Sequence, residues 1–334
     1  MLNSKLKESF KKESDLKEIL TFGRYLKNKF GEKVYKVPIA LSGFTCPNID
    51  GKVTRGGCTF CENESFNPSL NRIEKIKGFS LNMDTAENIL LEKQVKELEF
   101  QFTNISKQIS KKYKAKKFLI YFQAFTNTYA PLETLKTLYE KALSFDNVVG
   151  LSIGTRTDSI SDEVLEYLQT LSKNYEIWVE YGIQSIFDKT LEKINRGHNY
   201  QNMEEWILKT KSYDLNVCGH LIYGLPDEDS EMMQKSFHKS LELGIDSIKI
   251  HPLYVVEKTA LANHFRKGSF EPISEDEYIK NIVLSLKELP EDISIQRLSA
   301  GIENSSLISP DWCFNKQKSM KAIRQALAKE NIFY

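Results

Sequence analysis

Three of the five cysteines fall within sixteen positions, Cys46, Cys58 and Cys61, in the run TCPNIDGKVTRGGCTFC. Cys58 and Cys61 form a CxxC pair, whose two intervening residues let both sulfurs reach one metal centre from a tight loop. Cys46 lies twelve positions upstream of Cys58, across a stretch containing Gly51, Gly56 and Gly57. That stretch can fold back and bring backbone amides toward sulfur. Three thiolates on a four-iron cluster leave one iron without a protein ligand, and an open iron is a place for chemistry. A zinc clip is the alternative, although a closed zinc site takes four ligands and no His or fourth Cys lies near. Cys218 and Cys313 stand alone and read as small buried hydrophobes.

The elements that must position this loop follow a repeating order. Short β-rich runs at Lys33–Leu41, Lys117–Ala124, Val148–Gly154, Tyr175–Gly182, Asn216–Tyr223 and Asp246–Pro252 alternate with helical patterns. Those helices fall at Asp84–Lys112, with Asp84 as N-cap, and at Leu132–Ser144, Asp162–Ser172, Asp188–Asn195, Met203–Tyr213 and Ser230–Leu243. Six βα units predict an α/β fold built on a parallel sheet, as in a parallel βα barrel. In such barrels reactive residues gather at the C-terminal ends of the strands. The cysteine loop, QAFTNTYAP, GTRTDS, GIQS, YGLPDED and HPLY follow the six strands in turn. The expected organisation is a helical segment over 1–30, a lid or an N-terminal extension, a barrel over 31–268 and a C-terminal extension over 269–334 packing on the barrel. Within the last, SIQRLSAG reads as a further strand and loop.

Composition narrows the class. Hydrophobic residues at 41% and charged residues at 27% suit a globular core, and an odd, low cysteine count speaks against a secreted disulfide scaffold. The first twenty residues are too polar for a secretory signal and no run is long and apolar enough to span a membrane, so the expectation is cytoplasmic with no membrane partner. Lys+Arg (46) nearly cancel Asp+Glu (45), so net charge names no partner. Locally, Lys107, Lys111, Lys112, Lys114, Lys116 and Lys117, with the lysines from Lys5 to Lys12, could follow a phosphate backbone or simply solvate helix ends.

The segment KVYKVPIALSGFTCPNIDGKVTRGGCTFC, followed in order by YFQAFTNTYAP, IGTRTDSI, VEYGIQS, INRGHN, HLIYGLP, KIHPLY, RLS and SPDWCFNK, resembles the YhcC family of radical S-adenosylmethionine (SAM) proteins. That family is related to the radical SAM domain of the elongator catalytic subunit. The resemblance covers residues 20 to 330 and implies an α/β fold, a partial (β/α)6 TIM-like radical SAM barrel, which the count of six strands matches, whose Cys46, Cys58 and Cys61 bind a [4Fe–4S] cluster, with SAM across its top. It implies reductive cleavage of SAM to a 5′-deoxyadenosyl radical that abstracts a substrate hydrogen, with flavodoxin or ferredoxin as electron donor. Carried over by position, Gln123, Thr126 and Asn127 bind the amino end of SAM, Gln184 and Arg196 help hold SAM, with Arg196 able to pair with its methionine carboxylate, and Leu225 packs on its adenine.

Glu180 shares a strand face with Gly182 and Gln184, where ribose hydroxyls or a salt bridge to Arg156 would partner it. Arg156 joins the SAM-binding set. His220 and His251 face the barrel as core residues or proton carriers. Thr157 and Ser159 depart from the family's usual GTRPDC, Ile49 replaces a commonly basic residue, and AGIEN departs from a common GDA pattern. The substrate therefore stays open between tRNA, through the elongator kinship, and a small metabolite.

Overall fold

The computed structural model describes residues 16–62, 79–299, 301 and 306–334. The helical pattern at residues 2–10 and the lysines from Lys5 to Lys12 lie outside those residues. Seven strands form one all-parallel sheet in chain order: β1 Val34–Ile39, β2 Lys117–Phe122, β3 Val148–Thr155, β4 Glu176–Gln184, β5 Asn216–Tyr223, β6 Ser247–Pro252 and β7 Ser294–Arg297. The first six are the strands expected from sequence. The seventh comes from the SIQR segment and pairs with β6, extending the barrel sheet rather than standing outside it.

Ten helices accompany the sheet among the described residues: α1 Phe22–Phe30, α2 Leu91–Tyr113, α3 Leu132–Leu143, α4 Asp162–Ser172, α5 Asp188–Lys193, α6 Tyr200–Ser212, α7 Ser230–Glu242, α8 Ala260–Arg266, α9 Glu275–Glu288 and α10 Lys316–Lys329. Two boundaries differ from expectation. Helix α2 begins at Leu91, not Asp84, because Asn82, Thr85 and Asn88 bond the backbone at Asn82, Asp84 and Leu90 through their side chains, and such local bonds compete with a helix. Residues Lys17–Glu18 are a strand paired with Ile332–Phe333, and α1 starts only after Thr21 caps it by accepting from the Arg24 N–H.

Alternation along the strands sorts side chains into an outer set and an inner set. Val37, Ile39, Ile120, Phe122, Leu151 and Ile153 face out and are buried beneath the helices. The inner set is layered. At the N-terminal end Val34, Leu119, Trp178 and Cys218 pack on Phe22 and Leu26 of α1, so this helix plugs the bottom of the barrel and is not a lid over its top.

Above the plug lies charge. Glu180 is fully buried and its two carboxylate oxygens are held by Lys36, Ser152, Lys249 and His220, the last at 3.0 Å. Lys36 Nζ also donates to Gln296 Oε1 at 2.6 Å, which joins β1 to β7 across the interior and fixes the curl of the sheet. Burial pushes Lys249 down to about 7, against the pull of Glu180. The lysine cluster holds the Glu180 carboxyl well below the usual range although burial alone would raise it.

Glu180→Gln is therefore expected to destabilise the fold by about 3–5 kcal/mol by leaving buried ammonium groups uncompensated. Folded Lys249 sheds its proton near pH 7 while the unfolded chain keeps it to 10.5, so the variant's loss is largest near pH 5 and smaller at pH 8. Urea unfolding at the two pH values checks this; an equal loss at both contradicts it.

Candidate functional site

The loop after β1 is built by its own backbone. Ile49 and Asp50 N–H donate to the Cys46 carbonyl (2.7 and 3.2 Å), Gly57 N–H to the Asn48 carbonyl (2.8 Å) and Cys61 N–H to the Cys58 carbonyl (2.9 Å). Gly56 and Gly57 take φ of +86° and +75°, a conformation that side chains disfavour, and this lets the loop turn back on itself. Cys46 is half-buried, Cys58 buried and Cys61 exposed at the loop's inner edge.

A second turn clamps this loop. Asn48 is fully buried and its Nδ2 donates to the carbonyls of Asn195 (2.6 Å) and Arg196 (2.8 Å), while Asn195 Nδ2 donates to the carbonyls of Gly57 (2.7 Å) and Arg55 (3.1 Å). Contact is so close that a Cβ on Gly197 would stand 2.5 Å from Asn48 Oδ1. The INRGHN turn thus positions the cysteines as well as Arg196. Neither Asn48 nor Asn195 stands out in the sequence, because their partners are backbone atoms roughly 150 positions away.

Of the eleven residues singled out from sequence, nine line one cavity of about 200 Å³: Cys46, Cys58, Cys61, Gln123, Thr126, Arg156, Glu180, Gln184 and Arg196. Glu180 forms its floor with both oxygens engaged by the chain's own donors, and the salt bridge to Arg156 does not form. Arg156 instead holds Asp158 through Nε (2.8 Å) and Nη2 (2.5 Å), and its Nη1 lies 3.7 Å from Cys46 Sγ. Gln184 takes φ +68° at the end of β4, and Gly182 leaves room for it, since a Cβ there would stand 2.7 Å from Gln184 Nε2 and 3.1 Å from Arg196 Nη2.

The other two residues lie elsewhere. Asn127 is buried with its Nδ2 on the Gly154 carbonyl (2.9 Å) and its own carbonyl accepting from Tyr139 Oη (2.7 Å), so it ties the loop after β2 to β3. Gly224, at φ +83°, turns the chain directly after β5, and Leu225 lines a separate cavity with Phe270 and Ile273 rather than the one bearing the cysteines.

Electrostatics divide the two arginines. Burial opposes the charge of Arg156, but the Asp158 carboxylate more than offsets it and raises its pKa. Arg196 is lowered by burial and by Arg156, and its Nε has no hydrogen-bond partner among the described residues. His220 and His251 face the interior with ring centroids 6.3 Å apart. Burial, with Lys249, pushes His220 down to about 4, so it is neutral at pH 7. The lysine run Lys107–Lys117 falls at the end of α2 and the start of β2, which is the plugged end of the barrel, opposite the cysteines.

Comparison with known proteins gives the class. Residues 52–239 match the Radical SAM superfamily and residues 245–329 the Radical_SAM C-terminal domain. The chain is 35% identical over 307 residues to the uncharacterized protein YtqA of Bacillus subtilis, covering 92% of this chain and 88% of that one. It is 32% identical over 312 residues to protein YhcC of Escherichia coli, covering 93% of each. The archaeal Methanocaldococcus infernus Elp3 with an N-terminal deletion shares the fold, with a TM-score of 0.57 at 17% identity, covering 89% of this chain and 64% of that one.

Fold and matches together define a radical SAM enzyme. The chain belongs to the YhcC family of that superfamily. Its cofactors are a [4Fe–4S] cluster and SAM. The loop suits such a group: Asn48 Nδ2 lies 3.7 Å from Cys58 Sγ and Arg156 Nη1 equally near Cys46 Sγ, donors placed to hydrogen-bond ligating sulfur. Among the described residues no helix is long and apolar enough to cross a membrane.

Asn48→Ala is expected to cost about 1–3 kcal/mol of stability, because it strands two buried carbonyls, and to lower iron incorporation under fixed reconstitution conditions. Thermal melting and iron analysis check this. Wild-type melting and loading would remove the clamp.

Proposed function

We propose that Cys46, Cys58 and Cys61 hold the [4Fe–4S] cluster and that SAM lies between the cysteine loop and the strand ends. When bound, these groups supply reductive cleavage of SAM to methionine and a 5′-deoxyadenosyl radical, which takes a hydrogen atom from substrate. The observation that carries this reading is the convergence on one cavity of three loop thiols, a buried arginine with an unpartnered Nε, and the polar side chains of Gln123, Thr126 and Gln184. Arg196 receives the methionine carboxylate, since a buried guanidinium with no salt-bridge carboxylate among the described residues favours an anionic partner. Arg156, anchored by Asp158, keeps a positive charge beside Cys46. Gln184 and Thr126 orient the amino end of the same ligand, while the polar floor at Glu180 faces its ribose.

A structural zinc ion fits less well. Zn–S bonds of about 2.3 Å bring sulfurs within about 4 Å of one another. Among the described residues the trio of metal-ligating atoms within 4.8 Å is Glu180, Cys218 and His220, not the loop cysteines. Within that trio Glu180 already has Lys249 as its ionic partner.

For substrate we favour tRNA. The support is similarity of part of the chain to the tRNA uridine(34) acetyltransferase of Methanocaldococcus jannaschii, 29% identical over 163 residues, a match that spans 48% of this chain and 30% of that one. A cytoplasmic location and reduction by flavodoxin or ferredoxin accord with this chemistry.

Anaerobic reconstitution is expected to yield about four irons per chain, a broad visible absorbance and dithionite-dependent 5′-deoxyadenosine. Cys46→Ala should abolish all three with the far-UV circular dichroism retained. Zinc retention without SAM cleavage would overturn the assignment.

Gel shift with total tRNA should show binding that weakens steeply with salt. Arg55→Glu, exposed on the cysteine loop, should weaken it several-fold, whereas Lys111→Glu at the plugged end should not. Binding insensitive to salt, or lost only with Lys111, would remove the tRNA reading.

A further inference from the structure

Beyond the cysteine cavity lies a second and larger one, of about 400 Å³. The two are continuous in their walls: Phe60, Cys61, Tyr121, Gln123, Gln184 and His220 line both. A molecule in the second cavity therefore stands next to the thiol loop on one side and the ends of β5 and β6 on the other. This is where a substrate must lie to meet a radical generated at the first.

The character of its walls is one-sided. Arg297, the last residue of β7, and Lys316, the first of α10, both line it, and none of its described lining residues is Asp or Glu. His251 lies between these charges and the interior, pushed well down by burial and then by Arg297, so it stays neutral and offers a hydrogen-bonding ring rather than a third charge. Beneath the cavity, Lys36 and Lys249 share the single carboxylate of Glu180, so among the described residues that carboxylate is not left over to answer Arg297. The SAM carboxylate has its own candidate in Arg196, which lines only the first cavity.

We infer that this second cavity is an oxyanion site for the substrate, in which Arg297 and Lys316 grip a carboxylate or phosphate group carried by the molecule that loses its hydrogen. The inference rests on the radical SAM reading above. A guanidinium accepts either oxyanion through paired N–H bonds, whereas Lys316 adds a point charge from the neighbouring helix. The reactive carbon of the substrate then lies inward from its anionic end, toward Cys61 and Gln184.

The test uses reconstituted holoenzyme with saturating SAM, titrated calorimetrically with malonate or inorganic phosphate at constant ionic strength. At least one anion should bind saturably; malonate alone supports a carboxylate, phosphate alone a phosphate group. Arg297→Gln should weaken that binding about tenfold or more and Lys316→Gln a few-fold, as expected for charge-assisted bonds to one ligand. SAM affinity should stay within twofold of wild type in both variants. Lys316 is exposed on α10, so its variant remains informative if Arg297→Gln folds poorly.

The inference is overturned if neither anion binds better than chloride, if the variants bind as wild type does, or if the anion competes with SAM. Dithionite-dependent 5′-deoxyadenosine from the wild-type enzyme separates the two levels of the argument. Its absence sinks the radical SAM reading, while its presence without anion binding sinks only the oxyanion site.

Discussion

The arrangement depends on one carboxylate. Glu180 is contacted by side chains from β1, β3, β5 and β6, and through Lys36 the chain of contacts reaches Gln296 on β7. An open parallel sheet has no backbone bond joining its first and last strands, so its curl has to come from packing or from side chains that meet across the interior. Here that link is ionic and almost dry, which makes it strong only as a complete set. Removing any one member leaves a buried charge or donor unanswered.

The interior is consequently graded along its axis. Phe22 and Leu26 of α1 close the bottom against Trp178 and Leu119, where an aromatic edge contact between Phe22 and Trp178 at 5.0 Å keeps water out. The ionic layer comes next, and Lys36 Nζ lies 4.7 Å from the Phe22 ring, so the plug also shields the charges from below. Only above this layer do the strand ends open into cavities. Each strand thus spends its lower residues on closure and its last one or two on chemistry.

What was legible in the sequence was local. The CxxC pair and its upstream partner, the six strand periodicities and the order of loops are set by neighbours in the chain, and they placed Cys46, Arg156, Gln184 and Arg196 around one cavity. What was not legible depends on closure. In VYKVPI, Lys36 occupies an alternate position that in a one-sided sheet would face solvent; in a closed sheet the same alternation turns it inward onto Glu180. The short SIQR strand carries too few residues to announce a barrel strand and is defined by pairing with β6. Motif order along the chain does not reveal that Leu225, following Gly224 at φ +83°, lines a separate cavity.

The two arginines of the cysteine cavity show how local satisfaction decides role. Both are buried within reach of the same thiols, and both are favoured by thiolate charge. Arg156 already owns a carboxylate, so its charge is neutralised within the chain and its position is fixed. Arg196 has a backbone carbonyl, that of Gly182, and an Nε without a partner among the described residues. A cation left in that condition raises the free energy of the ligand-free site, and an arriving anion relieves it. The same logic extends outward to Arg297, which meets no acid among the described residues of its cavity. Along one continuous wall, therefore, the guanidinium nearest Cys46 is paired with Asp158, while among the described residues neither Arg196 nor Arg297 has a salt-bridge carboxylate of its own.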